Sequence, residues 1–292
     1  MTHPFFRRWR SASALVLSVA ALALSPLHAA PKAAAEAFNS GKPVIFRDHF
    51  QSDSIAEWNI SEDDRYNIPA NTPDRLKIVD APGLTGHKAV QFTVPRAPNS
   101  FRSELSLPHE NTFCERWYSE RILVPEDWVI EHYSKGNDIV MQWHAIPGNW
   151  KATYPNLEIS VGGDHWFVRR SFGSARTPTR TNDTLDTIQP GHWVSWVIHA
   201  KWSPGDDGLL QLWKDGKLVM ETKGPNVYSD IGIQYTPYMK TGIYHPEWHL
   251  DTDRKRTAFE ADKPDATTRV IYATDIKVGG EHARLEDMTP GH

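Results

Sequence analysis

The stretch LLQLWKDGKLVMET, Leu209 to Thr222, reads as two strands folded back on each other. Leu209–Trp213 and Lys217–Thr222 are rich in strand-forming residues, and Lys214-Asp215-Gly216 between them supplies the positive-φ residues of a tight hairpin turn. Gly162-Gly163-Asp164 does the same between a strand beginning at Asn156 and one beginning at His165. Working outward, the same grammar recurs. Short runs of Val, Ile, Trp, Tyr and Phe, broken by Gly, Pro, Asn and Asp, predict strands at Pro43–Phe50, Ala89–Val94, Ser100–Ser106, Glu115–Leu123, Asp138–Ala145, Trp193–Trp202, Tyr238–Tyr244 and Arg269–Val278. No segment carries a convincing long helical period. About a dozen strands with turn punctuation predict an all-β, two-sheet jelly-roll sandwich of the concanavalin-like kind, with an open groove for a substrate.

Length and composition agree. The 292 residues, 39% hydrophobic, suffice for a large core, and no repeat, linker or low-complexity break divides residues 43–292, which read as one domain. The first residues read differently. Arg7, Arg8 and Arg10 precede an apolar run from Ala12 to Leu24, and Pro26-Leu27-His28-Ala29-Ala30 offers a cleavage site near Ala29. This is the layout of a secretory signal peptide over residues 1–29, followed by an Ala-rich spacer, residues 30–42. A bacterial periplasmic or secreted protein is expected, with no membrane association after cleavage. Cys114 is the single cysteine, so there is no intrachain disulfide, and it is read as a structural thiol. The net charge of −4 becomes three units more negative once the leader arginines are removed, which disfavours a nucleic-acid partner. Nothing in the sequence calls for an oligomer, and a monomer is expected.

Three strands gather polar groups that a plain core would not hold. Side chains two apart share a face of a strand. Arg102 and Glu104 therefore share one face of Phe101–Leu105, and Gln142 and His144 share one face of Ile139–His144, opposite Met141 and Trp143. Tyr238, Lys240, Gly242 and Tyr244 line up on a third, where Gly242 reads as open space for a ligand. Together these are the side chains that bind a carboxylate, remove the proton beside it and protonate a leaving oxygen. Arg169, Arg170, Arg176 and Arg180 follow in one strand-plus-loop stretch and are candidates for holding further carboxylates. Trp143, Trp150, Trp166 and Trp248, among twelve tryptophans, are candidates for stacking on sugar rings.

Arg102-Ser103-Glu104-Leu105, Gln142-Trp143-His144 and Tyr238-Met239-Lys240-Thr241-Gly242-Ile243-Tyr244 resemble, in that order, the signature strands of jelly-roll polysaccharide lyases. Alginate lyases of this fold carry similar segments. The wider pattern, with Trp193–Trp202, the hairpin at Gly208–Leu218, Gly224-Pro225-Asn226, Pro246 and Trp248, is closer to the heparin lyase I and glucuronan lyase group. The resemblance spans Phe46 to Val278. It implies β-elimination on a uronate-containing acidic polysaccharide, glucuronan-like first, with heparin-like chains and alginate as alternatives. It also implies that Arg102 and Gln142 neutralise the substrate carboxylate and that His144 and Tyr244 are the base and acid candidates: Tyr244 performs both transfers where the C5 proton and the leaving oxygen lie on one side, and His144 is the base with Tyr244 the acid where they lie on opposite sides. Lys240, Tyr238, Glu104, Arg169, Arg170 and Trp143 are then substrate-binding, with Glu104 orienting Arg102. Terminal strands of such relatives are adjacent and often share a structural Ca2+, for which Asp48 and Asp275 are the candidate ligands; no cofactor is expected for catalysis. A non-catalytic carbohydrate-binding sandwich and a glycoside hydrolase are the rivals. Hydrolysis calls for two flanking carboxylic acids, and the Gln142 strand carries only Asp138.

Overall fold

Alternation of apolar and polar residues is what lets these strands stack as two sheets with a shared interior. The computed structural model describes residues 43–60, 75–98, 100–107, 113–130, 137–145, 153–232, 236–250, 252–261 and 266–290. The expected signal peptide, the spacer and Trp150 lie outside the described residues. Fifteen strands are seen among them: β1 (Val44–Asp48), β2 (Asn59–Ile60), β3 (Leu76–Asp80), β4 (Lys88–Pro95), β5 (Arg102–Ser106), β6 (Glu115–Leu123), β7 (Asp138–His144), β8 (Leu157–Gly162), β9 (His165–Gly173), β10 (Pro178–Thr187), β11 (Trp193–Lys201), β12 (Leu209–Lys214), β13 (Lys217–Lys223), β14 (Tyr238–Tyr244) and β15 (Thr268–Gly279).

One sheet runs β13-β12-β11-β6-β15-β4-β3, with β1 also on β15; the other runs β10-β9-β8-β7-β14-β5-β2. All their pairings are antiparallel, and the fold is the predicted two-sheet jelly roll. Both predicted hairpins form. Asp215 and Gly216 turn β12 into β13 with φ of 50° and 76°, and Gly163 turns β8 into β9 with φ of 57°. The strand β10, PTRTNDTLDT, was not anticipated, because its polar composition resembles a loop. It is an edge strand, where one row of backbone groups faces outward and Thr, Asn, Asp and Arg are well suited. The helix Asp253–Ala261 and the short helix Leu285–Met288 were also not anticipated. No helix among the described residues is long and apolar enough to cross a membrane.

The interior between the sheets is one large cluster that includes Phe92, Ile122, Trp143, Trp166, Trp196, Leu212 and Ile243. Each large side chain buried there contributes roughly 1.5–3 kcal/mol. A polar tie crosses this interior: the Thr241 hydroxyl on β14 donates to Oε1 of Glu120 on β6. Burial pushes the Glu120 carboxyl up to about 8, against the pull of that hydrogen bond.

Candidate active site

The second sheet decides where polar groups meet. Its registers place Ser106 opposite Lys240, Lys240 opposite Gln142, Gln142 opposite Glu158, Glu158 opposite Arg169, and Arg169 opposite Asn182. A band of polar side chains therefore runs across five adjacent strands and on to β10, on the face turned away from the core. One pair further along, Glu104 lies opposite Gly242 and Arg102 opposite Tyr244. In the other direction, His144 lies opposite Tyr238.

Within this band Glu104 is the hub. It is 2% exposed, accepts a hydrogen bond from Nε2 of Gln142 at 2.5 Å, and pairs with Nη1 of Arg102 at 3.7 Å. The carboxylate therefore holds the guanidinium and the amide together. Each donor keeps N–H groups to spare, since an amide has two and a guanidinium five. Arg102 Nε is buried with no hydrogen-bond partner among the described residues, and an unpaired buried donor calls for an acceptor. The Arg102 guanidinium also lies 5.0 Å from the centre of the Tyr244 ring. Tyr244, Arg102, Glu104 and Gln142 thus form one continuous set.

His144 stands at the Gln142 end of that set, and Tyr244 at the Arg102 end. The His144 Nε2 lies 3.0 Å from the carbonyl oxygen of Thr153 and 2.9 Å from its hydroxyl oxygen, while that hydroxyl donates to the Ala145 carbonyl. Both contacts are acceptors, so Nε2 carries the proton and neutral His144 has its lone pair on Nδ1. Lys240 is buried, with its ammonium 5.5 Å from the Tyr238 ring centre. Burial and the nearby Glu104 charge push the Tyr238 phenol upward, with Arg102 opposing.

The far end of the band contains residues that sequence reasoning missed. Glu158 is buried and accepts from Nη1 of Arg169 at 3.2 Å, and Arg169 Nε donates to Asn182 Oδ1 at 2.9 Å. Burial pushes the Glu158 carboxyl up, against the pull of Arg169 and Arg180. The Arg180 guanidinium stacks over the ring of Tyr154 at 3.7 Å, and Tyr154 is 48% exposed. The alternation of Glu158 with Asn156 and Ser160, read against that of Gln142, was the signal that could have found Glu158. His249 was missed as well. Its Nδ1 lies 3.3 Å from the Tyr244 hydroxyl, and its ring stacks on Phe101 at 4.2 Å.

Several expectations are corrected. Trp143 is fully buried on the inner face, edge-on to Tyr118, and offers no surface to a sugar. Trp166 and Trp248 are buried too. Arg170 pairs in register with the core residue Leu157, so alternation turns it to the face opposite Arg169, where it meets Asp183 at 3.8 Å. Gly242 is not an opening. A Cβ there would come within 2.2 Å of the Ser103 carbonyl oxygen, and its φ is 131°, so the close approach of β5 demands glycine.

Asp48 and Asp275 do lie on paired strands, Asp48 being opposite Ile276. Yet the Asp48 carboxylate accepts from the Phe50 amide and the Trp58 indole, each at 2.7 Å. Asp275 meets His49 at 2.7 Å and Arg121 at 3.2 Å. All four oxygens are taken by N–H donors, and among the described residues no group of three or more His, Cys, Asp or Glu is placed to hold a metal ion. The set does not fit Ca2+, which needs six to eight oxygens.

Comparisons with known proteins follow the same line. The structure is similar to an endo-β-1,4-glucuronan lyase from the fungus Trichoderma reesei, with a TM-score of 0.63 and 18% identity over 85% of this chain and 99% of that one. It is also similar to a family 7 alginate lyase, with a TM-score of 0.50 and 15% identity over 72% of this chain and 82% of that one. A cellulose-induced protein gives a TM-score of 0.50 and 15% identity over 80% and 96%. At these identities the likeness shows the fold. A search of curated proteins returned no match. The family model described as polysaccharide lyase matches residues 50–277, from just after β1 into the last strand, and takes in every strand of the polar band: the chain belongs to the polysaccharide lyase family.

Proposed function

We propose that the protein cleaves a β-1,4-linked glucuronan-type polymer by β-elimination. The observation that carries this reading is the grip of Glu104 on both Arg102 and Gln142 beside the Tyr244 phenol. In the proposed complex the spare N–H groups of Arg102 and Gln142 bind the C6 carboxylate and stabilise the enolate-like charge that develops as the C5 proton leaves. Charge-assisted contacts of this kind act mainly in the transition state, where they accelerate the reaction.

In a β-linked glucuronate the C5–H and C4–O bonds lie on the same face of the ring. One residue then serves both proton transfers, and that residue is Tyr244. As phenolate it takes the C5 proton. The C5–H electron pair becomes the C4–C5 double bond, the C4–O bond breaks, and the new phenol passes its proton to the departing C4 oxygen. A phenol ordinarily ionises near pH 10, and the Arg102 guanidinium lies 5.0 Å from the centre of the Tyr244 ring. For the C5-epimeric uronate, with the two bonds on opposite faces, His144 is the base and Tyr244 the acid. Lys240 and Tyr238 line the floor. Arg169, held by Glu158 and Asn182, is proposed to bind a carboxylate several strands away from the cleavage point, with Arg180 and Tyr154 beside it. The leader-like residues 1–29 support export to the periplasm or beyond.

The test is a panel of glucuronan, alginate and heparin-like chains, read by the ultraviolet absorbance of the unsaturated product and by new reducing ends. Glucuronan should give both signals together. New reducing ends without the chromophore would mean hydrolysis, and binding without either signal would mean a carbohydrate-binding sandwich.

A further inference from the structure

We propose that His249 is the proton partner of Tyr244, holding the phenol's proton on its imidazole while the phenolate carries out the elimination. This rests on the reading of Tyr244 given above and adds what that reading leaves open, namely how a tyrosine comes to be ionised.

The geometry is specific. The Tyr244 hydroxyl and the His249 Nδ1 are 3.3 Å apart. The imidazole is held on the face of Phe101 with ring centres 4.2 Å apart and planes 24° from parallel. Phe101 in turn packs edge-on against Tyr244 at 5.6 Å. The two partners are therefore clamped on a shared aromatic wall, and Arg102 lies over Phe101 at 4.8 Å and over Tyr244 at 5.0 Å. His249 follows the short 3-10 turn Pro246–Trp248 and is half-buried.

That turn is anchored from below. His245 Nδ1 donates to Asp138 Oδ1 at 2.7 Å, Arg269 pairs with the other Asp138 oxygen at 3.0 Å, and the His245 amide donates to the Phe101 carbonyl at 2.7 Å. Among the described residues, the titratable and charged groups around the pair include Arg102 and Glu104 on β5, Arg75, which bonds the Arg102 carbonyl and Ser100 on either side of Phe101, the buried His245, Asp138 and Arg269 beneath, and the exposed Glu247 on the turn itself.

The proton balance is simple. The Tyr244 O–H bond breaks and the proton moves to Nδ1 of His249, giving a phenolate and an imidazolium stabilised by their contact. The phenolate then removes the C5 proton and returns it to the C4 oxygen, ending the cycle as phenolate. His249 keeps its proton throughout and acts only through Tyr244, as a positioning residue.

The experiment compares wild type with His249→Asn, which keeps a hydrogen-bonding atom near Nδ1 but cannot store a proton, and with His249→Gln in case the first variant folds poorly. With a glucuronan substrate, kcat at neutral pH is expected to fall about 10²-fold with KM within about twofold. The rise of kcat/KM with pH should move at least about one unit to the alkaline side, because the phenol must then ionise alone. Added imidazole should restore part of the turnover in either variant. Wild-type kcat and pH profile in folded His249→Asn would overturn the proposal. So would a loss of kcat with an unshifted profile and no rescue by imidazole, since that marks a purely structural ring. Full activity in Tyr244→Phe, by contrast, removes the underlying reading of Tyr244 and is seen independently of His249.

Discussion

β7 and β14 are buried on both faces, for opposite reasons. Their inner faces carry Met141, Trp143, Met239 and Ile243, which leave water because apolar surface is better off inside. On the outer face Gln142 and Lys240 are equally hidden, at 4% exposure each, beside Glu104 and Glu158. There burial costs free energy, and the cost is offset by pairing, amide to carboxylate and carboxylate to guanidinium. Depth alone does not mark a site. A dense set of ionisable groups kept dry on a face with no covering sheet does, because a sandwich needing only stability would place apolar residues there at least as well.

The sharpest way to break this contrast is at Tyr244. Tyr244→Phe should lower turnover by about 10²–10⁴-fold with the urea midpoint unchanged, read from product absorbance and unfolding curves side by side. Retained turnover would end the assignment. Trp143→Ala, one strand away on the other face, should do the reverse. It should lose about 3–5 kcal/mol of stability, while the folded fraction cleaves at nearly the wild-type rate at low temperature. A stable Trp143→Ala protein with impaired sugar binding would mean that the face assignment is wrong.

Effects at the distal end of the band should be smaller. Arg169→Ala is expected to raise KM for long polymers about tenfold, the worth of one charge-assisted contact, and to leave kcat on short oligomers nearly unchanged. An equal loss on both substrate lengths would place Arg169 at the cleavage point instead. The smallest expected effect is one of pH. Glu120 in the folded protein is pushed up to about 8 from 4.5, so the folded state holds a proton that the unfolded chain releases. Stability from this group is therefore complete below pH 4.5 and is lost as pH rises toward 8. Glu120→Gln should flatten that decline, seen as urea midpoints that change less between pH 5 and pH 8. Parallel slopes in the two proteins would show that the carboxyl is ionised.

Much of this was legible in the sequence, and the failures have physical causes. The bounds of β6 and β14 follow from their residues, since Tyr, Trp, Ile and alternating polar positions leave little choice. Alternation also put Arg102 with Glu104 and Gln142 with His144 on the faces they occupy. The same rule already placed Trp143 opposite Gln142 and separated Arg169 from Arg170. Reading Trp143 and Arg170 as substrate contacts let residue type override geometry. β10 was missed because an edge strand need bury little, so Thr and Asn replace the apolar signal. Alternation could have placed Glu158 on the outer face, but its pairing with Arg169 across strands, like that of His249 with Tyr244 through a turn, exists only once the chain is folded. Asp48 and Asp275 were neighbours as expected, but an indole, a backbone amide, an imidazole and a guanidinium had already claimed their oxygens.

Gly242 has a practical consequence for anyone reshaping the enzyme. It sits in the middle of the strand that carries Lys240 and Tyr244, where a saturation library would naturally begin. Any side chain there collides with the neighbouring backbone rather than with a bound sugar. Its variants will report damaged folding and nothing about substrate choice, so diversity is better directed to the outer positions of β10.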